Sequence, residues 1–157
     1  MDRSARFRIN APRVIHEPFE HEVILVNLDT GRYYCLQKTG VDLWTGLMDG
    51  ASVGEIVDAF VAAYDAPADE ITVAILDAIA SLQREELVVD APLADPSLRS
   101  GRWHVRAAAG RPFQAPTLET YTDMQDLLLL DPIHEVDDAG WPVPADPAGK
   151  GPSTGQQ

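Results

Sequence analysis

Residues 22–26 (EVILV) form a dense β-branched run of strand length, and residues 32–36 (RYYCL), with two tyrosines, read as the next strand. Between them lies NLDTG, in which Gly31 can take the left-handed conformation that a three-residue hairpin loop demands. Residues 14–17 (VIHE), closed by Pro18, read as a further short strand. The segment 12–36 is thus expected to form an antiparallel meander of three strands. Three short strands are too few to be stable alone, so helices must cover one face.

Those helices are written immediately afterwards. Thr39 can cap a first helix whose apolar positions Val41, Trp44, Leu47 and Met48 recur at helical spacing, and Gly50 supplies a C-terminal stop. Ser52 and Glu55 have the spacing of a capping box, which opens a second helix with Ile56, Val57, Phe60, Val61 and Tyr64 along one face. Pro67 interrupts the chain. A third helix is expected over 69–86, burying Ile71, Ile75, Ala78, Ile79 and Leu82 at spacings of three and four. Residues 87–89 (LVV) are a short apolar exit.

Beyond Asp90 the composition changes. Pro92, Pro96, Gly101, Gly110 and Pro112 punctuate 91–112 without any sustained period, which is linker behaviour. Residues 113–142 read as a peptide meant to be bound, and 143–157 as a low-complexity, disordered end. The expected division is a recognition domain over 1–90, a linker, the peptide segment and the tail.

Charge and composition exclude several functions. With a net charge of −13 and a pI near 4.5, the surface repels phosphate backbones and anionic headgroups, so neither nucleic acid nor membrane is an expected partner. Arg3, Arg6 and Arg8 are followed by no apolar signal region, and the expected location is the cytoplasm. The lone Cys35 allows no internal disulfide and lacks a neighbouring base, so it reads as a small buried hydrophobe. His16 and His21 lack a third ligand at metal spacing, and Asp131, His134, Glu135, Asp137 and Asp138 read as a solvated acidic stretch. No nucleophile–base pair or phosphate loop stands out. No enzyme, cofactor or metal is expected.

The order of these signals resembles the PqqD family. The residues that carry the resemblance are 26–34 (VNLDTGRYY), Leu36, 39–44 (TGVDLW), Asp49-Gly50, the capping box, and the closing Leu82, Leu87 and Val88. The resemblance implies an α+β, winged-helix-like domain, a three-stranded antiparallel sheet followed by three helices, that recognises peptides awaiting modification and has no catalytic residues. It implies that a leader peptide adds as a strand to the third strand, clamped by the third helix. On that reading the groove comprises Arg32, Tyr33, Tyr34, Cys35 and Leu36 with Leu76, Ile79, Ala80 and Gln83. Phe113, Pro116 and Leu118 in turn resemble the recognition motif in leader peptides of lasso-peptide precursors, with Phe113 where Tyr is usual and without the Gly that commonly follows the Leu.

An extended peptide on a sheet edge gains main-chain hydrogen bonds while alternate side chains enter pockets, and Pro116, having no donor, suits an unpaired position. The function expected is a leader-peptide-binding adaptor in the biosynthesis of ribosomally made, post-translationally modified peptides. Its own tail would fill the groove in cis or in a swapped homodimer and present distal residues to a peptide-modifying enzyme. A linker of about 24 residues reaches roughly 25–30 Å, against a radius of gyration near ~12 Å for a ~90-residue domain, so cis binding is allowed. The alternatives are a tail acting as a built-in regulatory ligand, and a winged-helix DNA-binding regulator. Against the latter, the third helix carries Asp69, Glu70, Asp77, Glu85 and Glu86 beside a single Arg84.

Overall fold

The computed structural model describes residues 1–93, 95, 103–106 and 109–122. It is a mixed α/β fold with three helices and antiparallel sheets. Strands β1 (Arg6–Ile9), β2 (Val14–Pro18), β3 (Glu22–Asn27) and β4 (Tyr33–Gln37) precede helices α1 (Thr39–Met48) and α2 (Val53–Ala63). The two-residue β5 (Tyr64–Asp65), α3 (Ala68–Arg84), β6 (Val88–Ala91), β7 (Arg111–Pro112) and β8 (Leu118–Tyr121) complete the order.

The main sheet has four strands in the order β2-β3-β4-β8, rather than the expected three. The hairpin is as the sequence indicates: Gly31 has φ 72 and its amide donates to the Asn27 carbonyl at 2.9 Å. Asn27 is buried, and its side-chain oxygen accepts from the amides of Asp29 and Thr30, which removes the desolvation cost of a polar group in that position. Along β3 the alternation sends Val23 and Leu25 into the core and leaves Ile24 and Val26 half-buried on the outer face.

A second, two-stranded antiparallel sheet joins β1 to β6, pairing Phe7 with Asp90 and Ile9 with Val88. Strand β1 is not expected from the sequence. A four-residue strand carries only two apolar side chains, and its partner lies some eighty positions away, so no local pattern announces it. The N-terminal arm also completes α2: the Ala5 and Arg3 carbonyls accept from the Val53 and Gly54 amides, two of the unpaired donors in that helix's first turn. Arg3–Asp58 and Arg6–Glu55 ion pairs hold the arm there.

Helix α2 begins with the expected capping box, the Glu55 amide donating to Ser52 Oγ at 3.2 Å and the Ser52 amide to Glu55 Oε2 at 2.7 Å. Helix α1 differs. Thr39 is its first helical residue rather than its cap, and Lys38 holds the N-cap position with φ 55. At the other end of α1, Gly50 has φ 84, and the Gly50 and Ala51 amides return to the Leu47 and Gly46 carbonyls in a Schellman motif. Helix α3 ends in the same motif with Glu86 in the left-handed position, two residues earlier than periodicity alone would end it.

The core lies between the main sheet and the helices. It contains Leu25, Tyr34, Leu36, Trp44, Phe60 and the α3 stripe Ile71, Ile75, Ile79 and Leu82. Val61 turns outward, and Tyr64 leaves α2 to form β5, so both depart from the expected helical face. Val105 is also buried, and Trp103 stacks on Phe60 at 6.2 Å. The punctuated stretch after Asp90 therefore contributes to the core at two points. Among the described residues no helix is long and apolar enough to cross a membrane.

Candidate peptide-binding site

Strand β4 has two neighbours, β3 on one side and β8 on the other. The β4–β8 pairing is antiparallel, with Leu36 opposite Leu118, Cys35 opposite Glu119, Tyr34 opposite Thr120 and Tyr33 opposite Tyr121. Alternation sorts these side chains. Tyr34 and Leu36 enter the core, and Leu118 packs against it. On the outer face Tyr121 stacks on Tyr33 at 4.9 Å, and its hydroxyl donates to Glu119 at 2.9 Å.

A cleft of about 420 Å³ runs between β8 and α3, lined by Asp77, Ala78, Ser81, Arg84 and Glu85 on one side and by Pro116, Thr117, Leu118 and Thr120 on the other. Pro116 is buried two residues before β8 begins, where its missing donor costs no ladder hydrogen bond. Tyr34 fastens β4 to the end of α3 by donating to Glu85 at 2.8 Å, and Arg32 pairs with the same carboxylate at 3.5 Å.

The helix positions expected from the sequence lie elsewhere. Ile79 is fully buried in the core, and Leu76, Ala80 and Gln83 are not among the cleft residues. On an α-helix the stripe Ile71, Ile75, Ile79 and Leu82 has two flanks. Positions 76, 80 and 83 form one, and 78, 81 and 85 form the other. Periodicity locates the stripe but cannot say which flank faces β4, and the more apolar flank is not the one that does.

Phe113 also lies apart from the β4–α3 cleft. It packs edge-to-face on Tyr64 at 5.8 Å, just after β7, which pairs in parallel with β5. The chain is held on either side of it: the Gly110 amide donates to the Ala63 carbonyl at 3.0 Å, and Thr39 Oγ1 donates to the Gln114 carbonyl at 2.6 Å. Residues 110–121 are thus bound in turn by the α2 terminus, the start of α1, the cleft and the β4 edge. Thr39 and Tyr64, which in the sequence read only as a cap and a helix face, contribute to that track. The Tyr64 phenol is pushed well up, first by burial and then by its hydrogen bond to Asp42, so it stays protonated.

Cys35 sits in β4 with its thiol pushed up to about 11, mainly by burial, with further contributions from its hydrogen bond to Glu22 and that carboxylate's charge. A thiol so shifted is protonated near neutrality and is a poor nucleophile. Trp44 donates to His16 Nδ1 at 3.0 Å, which gives that histidine a structural partner. Among the described residues, no group of three or more His, Cys, Asp or Glu side chains is placed to hold a metal ion. Residues 131, 134, 135, 137 and 138 lie outside the described residues.

Comparison with known proteins bears on residues 22–88, which match the family model of the coenzyme PQQ synthesis protein D (PqqD). A solved structure described as TbiB1 in complex with the TbiA(beta) leader peptide is 31% identical, covering 56% of this chain and 99% of that one, with a TM-score of 0.48. No curated protein sequence matches. The β3–β4 hairpin, the capping box and the close of α3 all lie inside the matched segment, whereas residues 113–118 lie beyond it. On the family match and the sequence identity, the chain belongs to the PqqD family.

Proposed function

We propose that the protein is a non-catalytic, winged-helix-like adaptor that binds leader peptides in the biosynthesis of modified ribosomal peptides. Residues 113–121 act as a fused, leader-like segment that fills the site in cis and presents the distal tail to a peptide-modifying enzyme. The observation that carries this reading is the β4–β8 ladder, with Leu118 opposite Leu36 and Pro116 buried beside α3. That is strand addition, in which main-chain bonds supply affinity and alternate side chains supply specificity. The 31% sequence identity to TbiB1, a protein solved in complex with a leader peptide, supports the same assignment. The acidic character of α3 argues against DNA binding.

Tethering typically supplies an effective concentration in the mM range, so the fused segment outcompetes a free peptide of equal intrinsic affinity. The test is a titration of a synthetic peptide spanning 110–131 into the full-length protein and its Leu118→Asp variant. The variant should bind the peptide with an affinity at least about tenfold higher than wild type, because its own β8 is weakened. No binding to the variant at ~100 μM peptide would reject the assignment. Wild-type binding as tight as the variant's would reject occupation in cis.

A further inference from the structure

A second concavity lies on the other side of the bound segment, away from the α3 cleft. It is an open groove of about 1050 Å³ between the β2–β3 turn, α1 and residues 103–114. Its apolar surface comes from Val41, Met48, Trp103 and the 54% exposed Phe19.

Charged side chains of both signs line the groove. Of the Lys and Arg side chains among the described residues, Arg3, Arg6, Arg8, Arg13 and Arg32 make ion pairs. Lys38, Arg84, Arg106 and Arg111 make none, and three of these four line this groove. Glu20, Asp42 and Asp49 line it too, but Asp42 is engaged by the Tyr64 hydroxyl. Lys38 moreover holds φ 55, a backbone region that glycine would occupy at less cost. Three of the four cations without an ion pair among the described residues thus sit together, beside the exposed Phe19 ring and the half-buried Met48 and Trp103.

The sequence contains a ligand of complementary chemistry. Beyond Thr122 the chain has Asp123, Asp126, Asp131, Glu135, Asp137, Asp138 and Asp146 against the single Lys150, with Trp141 shortly after the densest acidic stretch. The described chain ends at Thr122, beside the Tyr33 end of β4, and the groove begins at Lys38, just past the other end. Five strand residues span roughly 17 Å, whereas nine residues of extended chain reach about 30 Å, so residue 131 can return to the groove. A second copy is disfavoured as occupant because each chain carries a net charge of −13.

We propose that this groove docks the chain's own acidic segment, residues 131–141, with its carboxylates on Lys38, Arg106 and Arg111 and Trp141 on the apolar surface. The segment is thereby held against the body of the protein, which sets where the residues beyond it are presented. None of these three cations belongs to the β4–β8 ladder, so the groove and the ladder are tested on different residues.

Lys38 and Lys150 are the only lysines, so zero-length carbodiimide coupling of the full-length protein gives a direct test. Peptide mass spectrometry should find Lys38 joined to Asp131, Glu135, Asp137 or Asp138. In a mixture of isotope-labelled and unlabelled protein, the joined peptides should come from one chain. The yield should fall about fivefold or more in the exposed double variant Arg106→Glu/Arg111→Glu and in high salt, because surface ion pairs are screened. Circular dichroism establishes that the variant is folded. Coupling of Lys38 only to neighbours such as Asp42, coupling between different copies, or a yield indifferent to charge reversal and salt would each overturn the proposal. The peptide titration at β4 is read on other residues, so either result can fail alone.

Discussion

The Tyr34 hydroxyl donates to the Glu85 carboxylate at 2.8 Å, tying the edge strand to the residue that caps α3. This contact fixes the distance between β4 and α3, the two elements that flank Pro116 and Leu118. It also makes one side chain serve both the core and the peptide track, since Tyr34 is only 1% exposed.

Tyr34→Phe should therefore lower stability by about 1.5 kcal/mol, the scale for a hydrogen bond to a charged acceptor. It should also change the alkaline limb. The Tyr34 phenol is pushed up to about 12, first by burial and then by the Glu85 hydrogen bond and charge. An unfolded tyrosine loses its proton near 10, so between about 10 and 12 the folded state binds more protons and stability falls as pH rises. Denaturant melts across this range should show a shallower fall in Tyr34→Phe than in wild type.

The capping box gives the complementary acid-side expectation. Ser52→Ala should cost about 1 kcal/mol in chemical denaturation. The Glu55 carboxyl is held below its ordinary 4.5, chiefly by the Ser52 backbone amide. Its stabilising contribution is complete above that ordinary value and is lost as pH falls through the lowered one. Glu55→Gln should flatten the pH dependence of stability in that window, while Ser52→Ala, which keeps the backbone amide, should retain part of it.

Trp103 tests whether the segment after Asp90 belongs to the folded unit. Trp103→Ala should lower stability by about 2–3 kcal/mol, somewhat less than for a fully buried aromatic, because the ring is half-buried. A chain ending at residue 91 should melt below one ending at 122. Equal melting temperatures would make residues 103–122 a passive attachment. Gly46→Ala probes the same contact from the helix side, since an added Cβ would lie 3.1 Å from the Trp103 ring.

What the sequence made legible follows the range of each interaction. The β3–β4 hairpin, the capping box and the α3 stripe are set by residues within a few positions of one another, and the structure has all three. The β1–β6 pairing and the burial of Val105 depend on partners far along the chain, and composition hides them behind arginines, prolines and glycines. At the candidate site, residues 33–36 are on the strand that pairs with β8; that they form a strand is a local property, whereas which side of the sheet takes a partner depends on the whole fold. Arg32 lies just before that strand and reaches α3 through Glu85. Spacing groups Phe113 with Pro116 and Leu118. Its actual neighbour Tyr64 comes from the end of α2, a junction that no motif specifies.

The central claim is that β4 is an edge for strand addition and that the chain's own residues 118–121 occupy it. Cross-strand nuclear Overhauser effects measure that directly. Full-length wild-type protein should show them between β4 and β8 at Tyr33–Tyr121 and Cys35–Glu119. In Leu118→Asp saturated with unlabelled peptide 110–131, isotope-filtered spectra should show the same contacts between protein β4 and the added peptide. Peptide binding without contacts to Tyr33 and Cys35, or a wild-type protein lacking the β4–β8 contacts, would contradict the account.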